Sequence, residues 1–538
     1  MAVQPRWLNN LLQLLAPALL ISHIRQELKW NQPVEHFHLH STSYLDGLRG
    51  LAALFVFGQH YTDYNLKPLH EWYFPPPSSS SSSSSSAPSP SSSPLQLPYI
   101  RLLCGAPSTH VFFVISGFAL ALRPLRELRR FGFAGSGSGS GSRGRSAGAD
   151  RAARGRCGAL LASAAIRRPV RLWAPCAALT LPLAFLTRWT WRFEHYIAYQ
   201  PTQWDQVYDW YEDFTGRIAV WPWGIFGNGG GGGGGGGGNL PRPRYNVHLW
   251  TIPVELAHSY MLFLVILVLA RLRSRLRIAA MVVIMISALR CGKWTAFEFV
   301  GGCLLADLHL LQTGPRDVLS SYASADGYSH PDVWWRFLAE LVPVLGLLAS
   351  GFIMSWPTYI AEIPYPYTAL VQHAPSSSEG GEEPQFWFAL AALTTVWSVG
   401  QIPSLRRILE RSLLQYLGRV SFVFYIIQHP FLNLFQSRVM GEEPQAGYTL
   451  DGAEFEAVAG WGLKGWPGTH TGTRLTFTWI LGWAIMVPLE LLIADYLTRF
   501  VDWPCGRAAR SIERAICDDA GGYGDVGHDI EKRLDMVS

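Results

Sequence analysis

The chain has 538 residues, of which 49% are hydrophobic and 13% aromatic but only 15% charged, with a net charge of +5. A water-soluble protein of this size carries about a quarter charged residues, so the deficit argues against a large aqueous core and for lipid as the solvent. The positive excess does not mark a nucleic-acid binder, because the arginines concentrate between apolar segments, where they set orientation in a membrane.

The N-terminal 42 residues read as an amphipathic, pre-membrane segment. Trp7 to Ile24 is apolar, is broken by Pro17, and is flanked by Arg6, Arg25 and Lys29, a pattern that suits the membrane surface better than a cleaved signal. His36, His38 and His40 alternate, but no second ligand cluster lies near, so they read as a solvated segment. The seven cysteines (Cys104, Cys157, Cys176, Cys291, Cys303, Cys505, Cys517) have no CxxC spacing and offer neither a disulfide framework nor a metal site. No N-x-S/T sequon marks a lumenal loop.

From residue 43 to about 500, apolar segments recur at membrane-spanning length. The expected fold is an all-α polytopic membrane protein of about ten transmembrane helices, near 45–63, 108–123, 169–187, 247–270, 277–290, 295–311, 334–354, 386–400, 415–437 and 474–498. Three inserts interrupt them: a Ser-rich stretch (75–98), a Gly/Ser/Arg-rich stretch (132–158) and a poly-Gly run (229–238). These compositions bury no core and read as disordered loops of a eukaryotic chain. Residues 501–538 read as a cytosolic tail.

Charge alternation orients the helices. The loop between the second and third spans carries eleven arginines from Arg123 to Arg168, and the turn from Arg271 to Arg277, the trio Arg406, Arg407 and Arg411, and the tail are also basic. The 355–385 loop has no Lys or Arg. The pattern places both termini in the cytosol.

Ionisable groups within spans are costly, which makes each a candidate for function. On the first span, SYLDGLRGLAALFVFGQHYTDY, Arg49 and His60 bracket an apolar run from Leu51 to Gly58. Eleven steps of ~100° return nearly to the same direction, so the two share a helix face ~16 Å apart along the axis. Arg168 and Arg171, in RRPVR at the cytosolic mouth of the third span, lie three apart and with Arg49 could form a fork-shaped anion site. The fourth span opens HLWTIPVELAHSY, where His248 precedes Glu255 by about two turns and the two can share a face. A carboxylate there can orient an imidazole, or serve as a structural polar link between helices. His258 lies farther along the same span, and Glu298, His309 and His429 within later ones, while Asp307, Glu490 and Asp495 fall near span ends, where snorkelling or helix-end pairing accounts for them.

Six stretches in this order carry a family resemblance: YLDGLRGLAALFVFGQH, VFFVISGFAL, RRPVR, HLWTIPVEL, FVGGCLLADL and LGRVSFVFYIIQHPFL. Together they resemble the membrane acyltransferase-3 family, from about Ser43 to Asp495, as a eukaryotic, fungal-type member with the low-complexity inserts lying outside. The resemblance implies transfer of an acyl group, acetyl by analogy, from acyl-CoA as co-substrate to a hydroxyl of a carbohydrate, lipid or small molecule. No cofactor, metal or nucleic acid is expected. It implies catalytic roles for His60 and Glu255, donor-binding roles for Arg49, Arg168 and Arg171, and second-tier roles for His248 and His429. Two departures stand out: His110 where the family often has Asp, and Leu256 where it often has a second Glu. The expected location is a multi-pass position in an endomembrane or the plasma membrane. A proton-coupled secondary transporter, with the intramembrane His and Glu as a relay, is the rival reading. It predicts flux without CoA release and favours inverted repeats, which the two halves do not display.

Overall fold

The computed structural model describes residues 39–70, 73, 92–105, 107–132, 142–189, 197–220, 242–313, 333–357, 365–375, 383–440, 447–448, 454–455 and 472–517. Each of the ten apolar segments is a helix: α1 (Ser43–Asn65), α2 (Thr109–Gly132), α3 (Ser142–Trp189), α4 (Thr251–Leu269), α5 (Ser274–Arg290), α6 (Trp294–Thr313), α7 (Val333–Met354), α8 (Glu383–Gln401), α9 (Ser412–Met440) and α10 (Gly472–Leu497). A further helix, α11 (Trp503–Ile516), follows α10 after a π-helical turn. The one sheet among the described residues is a two-residue antiparallel pair that joins Gly447 to Phe455 and Tyr448 to Glu454. Among the described residues, four helical segments are long and apolar enough to cross a membrane, or five if the bent pair Pro384–Gln401 and Pro403–Leu409 counts as one.

One expectation changes. The stretch read as a Gly/Ser/Arg-rich loop is helical from Ser142 onward, because Ala and Arg, both strong helix formers, dominate 143–157. As a result α3 runs 48 residues, about 70 Å by helical rise and more than twice a bilayer's hydrocarbon thickness, and RRPVR lies within it rather than at its start. Residues 503–516 of the tail form α11, which packs along α3, with Arg167 Nε 3.2 Å from a Glu513 carboxylate oxygen. The N-terminal 38 residues, the Ser-rich insert up to residue 91 and the poly-Gly run lie outside the described residues.

Helix α1 occupies the middle of the molecule. Its first turns (Tyr44, Leu45, Leu48, Ala52) join a core built with α2, α4, α5, α6 and α8, while Ala53, Phe57 and Tyr61 join a second core with α9 and α10. Glycines permit the close approach. A Cβ on Gly50 would sit 2.5 Å from the Gly418 backbone nitrogen, and one on Gly418 would collide with the Asp46 carbonyl. With no apolar driving force between helices in lipid, such small-residue contacts let backbones meet and gain dispersion. Gly50 of GLRG and Gly418 therefore set the α1–α9 crossing.

Pairing directions are informative. Along α1 and α9, Arg49 meets Gly418 and Phe57 meets Phe424, so the helices run parallel. Helices α2 and α6 are parallel as well, with His110 on Glu298 and Phe118 on His309. Neighbours α7 and α8 run antiparallel, Gly346 lying against Ser398 and Ser350 bonding Thr395.

Among the described residues the buried carboxylates are paired, with one exception. Asp307, fully buried, accepts from Arg129 Nε (2.7 Å) and from Arg277 Nε (3.0 Å) and a second Arg277 nitrogen (2.9 Å), which clamps α2, α5 and α6 together. Asp495 bonds Arg499 one turn on. The expectation that these acids snorkel or pair at helix ends holds for Asp495 but not for Asp307, which three helices enclose. It fails also for Glu490, fully buried on α10, neither of whose carboxyl oxygens has a hydrogen-bond partner among the described residues. His110 bonds Glu298 at 2.5 Å inside the core, giving a buried basic partner where the family often places an acid.

Candidate active site

The site lies along the α1–α9 seam and has two ends. At one end stands Arg49, whose Nε donates to Ser421 Oγ (3.1 Å) and whose terminal nitrogen donates to the Gly418 carbonyl (2.7 Å), with Asp46 at 3.4 Å. Arg171 on α3 is exposed and has Arg49, Arg168 and Asp502 within electrostatic range. The three arginines that sequence spacing grouped are thus brought into one neighbourhood.

Glu255 departs from its expected neighbours. Its carboxylate accepts from Arg168 (2.6 Å) and from Ser116 Oγ (3.0 Å), while Arg168 Nε also donates to Ser259 Oγ (3.1 Å). Among the described residues no ion pair or hydrogen bond joins Glu255 to a histidine. The reason lies in the entry to α4: His248 sits in a separate 3₁₀ turn, Val247–Trp250, so the regular two-turn spacing that would stack it over Glu255 is broken. Glu255 instead ties α2, α3 and α4 together.

The other end is a cluster of imidazoles. The His60 ring stacks on His248 with centroids 3.5 Å apart and planes 16° apart, and His429 meets His248 edge-on at 4.6 Å. The catalytic candidate and both second-tier histidines therefore form one group, drawn from α1, the 3₁₀ turn and α9. Its members are held separately. Asn246 caps the turn by accepting from the His248 backbone N–H (3.3 Å) and donates to the Ile426 carbonyl (2.7 Å). Tyr425 Oη donates to the His248 carbonyl and lies 2.8 Å from Thr251 Oγ1. Upstream, Arg244 bonds Asp209 and Asp213 of the helix Gln203–Asp213, which pins the chain entering the turn. His429 lies 3.2 Å from the Asn433 amide. His248 Nδ1 is buried and has no hydrogen-bond partner among the described residues, so one ring nitrogen faces the site unsatisfied.

Sequence reasoning missed several of these residues although a signal existed. Ser421 and Tyr425 precede the already predicted His429 at four-residue steps on one face of α9, and link the Arg49 end to the histidine end. Asp63, three residues after His60, sits 3.5 Å from His60 Nδ1 and 2.9 Å from His70 Nε2. Ser116 in VISGF lies on the α2 face opposite Glu255.

A polytopic helical membrane protein with an anion-suited end and an imidazole end has the parts for transfer between a charged donor and a second substrate. Comparison with known proteins makes the class definite. Residues 42–499 match the acyltransferase domain of the acyltransferase-3 family, and the chain belongs to that family; it is a membrane acyltransferase. It is also similar to the O-acetyltransferase PaAT-1 of Phomopsis amygdali, 28% identical over 476 residues that cover 86% of this chain and 83% of that protein. No solved structure matches.

Proposed function

We propose that the protein is an O-acyltransferase that takes an acyl group, acetyl in the first instance, from cytosolic acyl-CoA and places it on a hydroxyl of a carbohydrate, lipid or small-molecule acceptor. The observation that carries this reading is the His60–His248–His429 cluster at the far end of the seam from Arg49 and Arg171. The similarity to an O-acetyltransferase supports the acetyl group and the oxygen acceptor.

Helices α1–α10 serve as ten spans with both termini in the cytosol, in an endomembrane or the plasma membrane. The basic loops support this by the positive-inside rule. So does the pairing: in a ten-span chain the first and ninth helices share a direction, as do the second and sixth, while the seventh and eighth oppose, which matches the observed contacts.

In the reaction, guanidiniums at the cytosolic end, Arg171 foremost, hold the phosphates of CoA, because guanidinium stays charged and offers planar paired donors. His60, on whose Nδ1 side Asp63 lies, uses Nε2 as the general base. The acceptor O–H bond breaks as its proton passes to Nε2 and its oxygen bonds the acyl carbon. The carbon–sulfur bond of the thioester then breaks, and the imidazolium returns the proton to the departing thiolate. His248 and His429 line the acceptor's path, and Glu255 acts through Arg168.

The test is the full chain, purified in detergent and incubated with labelled acetyl-CoA and a metabolite and lipid extract of cells that express it. The expected result is release of free CoA together with a labelled, base-labile ester. Substrate flux through proteoliposomes with no CoA release would overturn the reading.

A further inference from the structure

We propose that Asp63 and His70 form a positioning pair that fixes the tautomer and orientation of His60; the proposal rests on the reading of His60 as the general base. Asp63 stands between two imidazoles, one carboxylate oxygen 3.5 Å from His60 Nδ1 and the other 2.9 Å from His70 Nε2. A carboxylate on Nδ1 keeps the proton there, leaves Nε2 with its lone pair free, and stabilises the imidazolium formed when Nε2 takes a proton. The separation at His60 is longer than a tight hydrogen bond, as is common before substrate binds.

The pair is built rather than incidental. His70 is nearly buried and ends the 3₁₀ turn Lys67–His70, and its carbonyl accepts from Arg101, a guanidinium itself almost wholly buried. That contact holds His70 from the side opposite Asp63. The last turn of α1 is fixed as well, since Thr62 Oγ1 donates to the Gly58 carbonyl (2.7 Å) and accepts from Trp479 Nε1 of α10 (3.0 Å). Asp63 therefore has little freedom to leave the two rings. His60 keeps about a fifth of its side chain accessible, so the supported ring can still meet a substrate. No other carboxylate among the described residues forms an ion pair with His60, whose second neighbour is the flat face of His248.

The experiment compares Asp63→Asn, Asp63→Glu, His70→Gln and His60→Ala in the full-length protein in detergent. Initial CoA release is measured over a range of acetyl-CoA concentrations with the cell extract held in excess, and thermal stability is read alongside. Asp63→Asn is expected to lower kcat by about 10²-fold, within the usual range for a positioned base, with the KM for acetyl-CoA unmoved. Asp63→Glu, which restores a carboxylate, is expected to recover part of that loss, and His70→Gln to lose about tenfold, as for outer partners of other imidazoles. Wild-type kcat in Asp63→Asn beside an inactive His60→Ala would overturn the positioning pair and leave the base assignment standing. An active His60→Ala would overturn the base assignment itself. Equal changes in kcat and KM without rescue by Asp63→Glu would make Asp63 a structural residue only, and overturn the proposal. Should Asp63→Asn fail to fold, His70→Gln decides, with wild-type kcat counting against the pair.

Discussion

The two ends of the α1–α9 seam hold basic side chains in opposite ways. At the arginine end two of the three cations are engaged by the protein itself: Arg168 by Glu255 and Ser259, Arg49 by the Gly418 carbonyl and Ser421. At the histidine end the rings meet one another by faces and edges, and His248 Nδ1 is left without a hydrogen bond among the described residues. The difference follows from charge. A guanidinium is always ionised, and burying it unpaired is costly, whereas an imidazole can shed its proton and tolerate an unsatisfied nitrogen for less. A membrane enzyme can therefore leave imidazoles poised for chemistry where it could not leave bare arginines. On the proposed mechanism, binding and bracing fall to one end and proton transfer to the other.

The largest effect should come from the histidine end. His60→Ala is expected to lower acyl transfer by about 10²–10⁴-fold, the usual worth of a positioned base, with little change in thermal stability. CoA release at saturating acetyl-CoA measures it. A variant that inserts normally and keeps full activity would erase the contrast between the ends.

A second prediction strikes the seam that joins them. In Gly50→Ala the new methyl must displace the backbone of α9 rather than a flexible side chain, since the nearest atoms are the Gly418 nitrogen and backbone and Cβ atoms of Leu417. Overpacking of this kind costs about 1–3 kcal/mol. The expected outcome is a lower melting temperature in detergent and loss of activity at both ends together. A stable, active Gly50→Ala protein would mean that α1 and α9 move apart freely.

The Arg168–Glu255 link tests whether the arginine end braces or binds. Both side chains are about one-fifth accessible, so solvent weakens the pair relative to a fully buried one. Arg168→Ala and Glu255→Gln should each destabilise the protein by about 1–2 kcal/mol, and the double variant by less than the two effects added. Melting temperatures of the four proteins give the coupling. Additive losses, or an Arg168→Ala that raises the KM for acetyl-CoA without destabilising, would move Arg168 from brace to donor ligand.

Much of this was legible in the sequence, and what was not has a physical cause. All ten apolar segments are helices, because a hydrophobic run long enough to satisfy its backbone in lipid has few other choices. The early start of α3 was hidden by glycine and serine, which mask the helix propensity of the alanines and arginines beside them. The grouping of His60, His248 and His429 joins residues up to 369 positions apart and is a product of helix packing, which spacing within one helix does not encode. The same holds for His110 with Glu298 and for Asp307 with its two arginines. Glu255 was assigned by regular helical spacing, and the 3₁₀ turn broke the regularity. Asp63 was open to a local rule, three residues after His60 on one helix face, but it stands beyond the apolar run that drew attention to Arg49 and His60.

The smallest effect falls on the cation left most available. Arg171 is exposed, and its electrostatic neighbours are the like-charged Arg168, Arg167 and Arg49 together with Asp502. Arg168, Arg167 and Arg49 each have an acid of their own (Glu255, Glu513 and Asp46), so the exposed Arg171 is the guanidinium of this group left to meet the anion of the proposed donor. Removing it takes away one phosphate contact and no helix packing. Arg171→Ala is therefore expected to raise the KM for acetyl-CoA by about tenfold with kcat and melting temperature unchanged, and the loss should shrink as salt screens the wild-type site. Arg171→Lys should recover only part of it, because an ammonium lacks the paired donors. Kinetics at low and high ionic strength separate these cases. A change in kcat at constant KM would put Arg171 among the groups that act on the transition state, and would dissolve the division between a binding end and a reacting end.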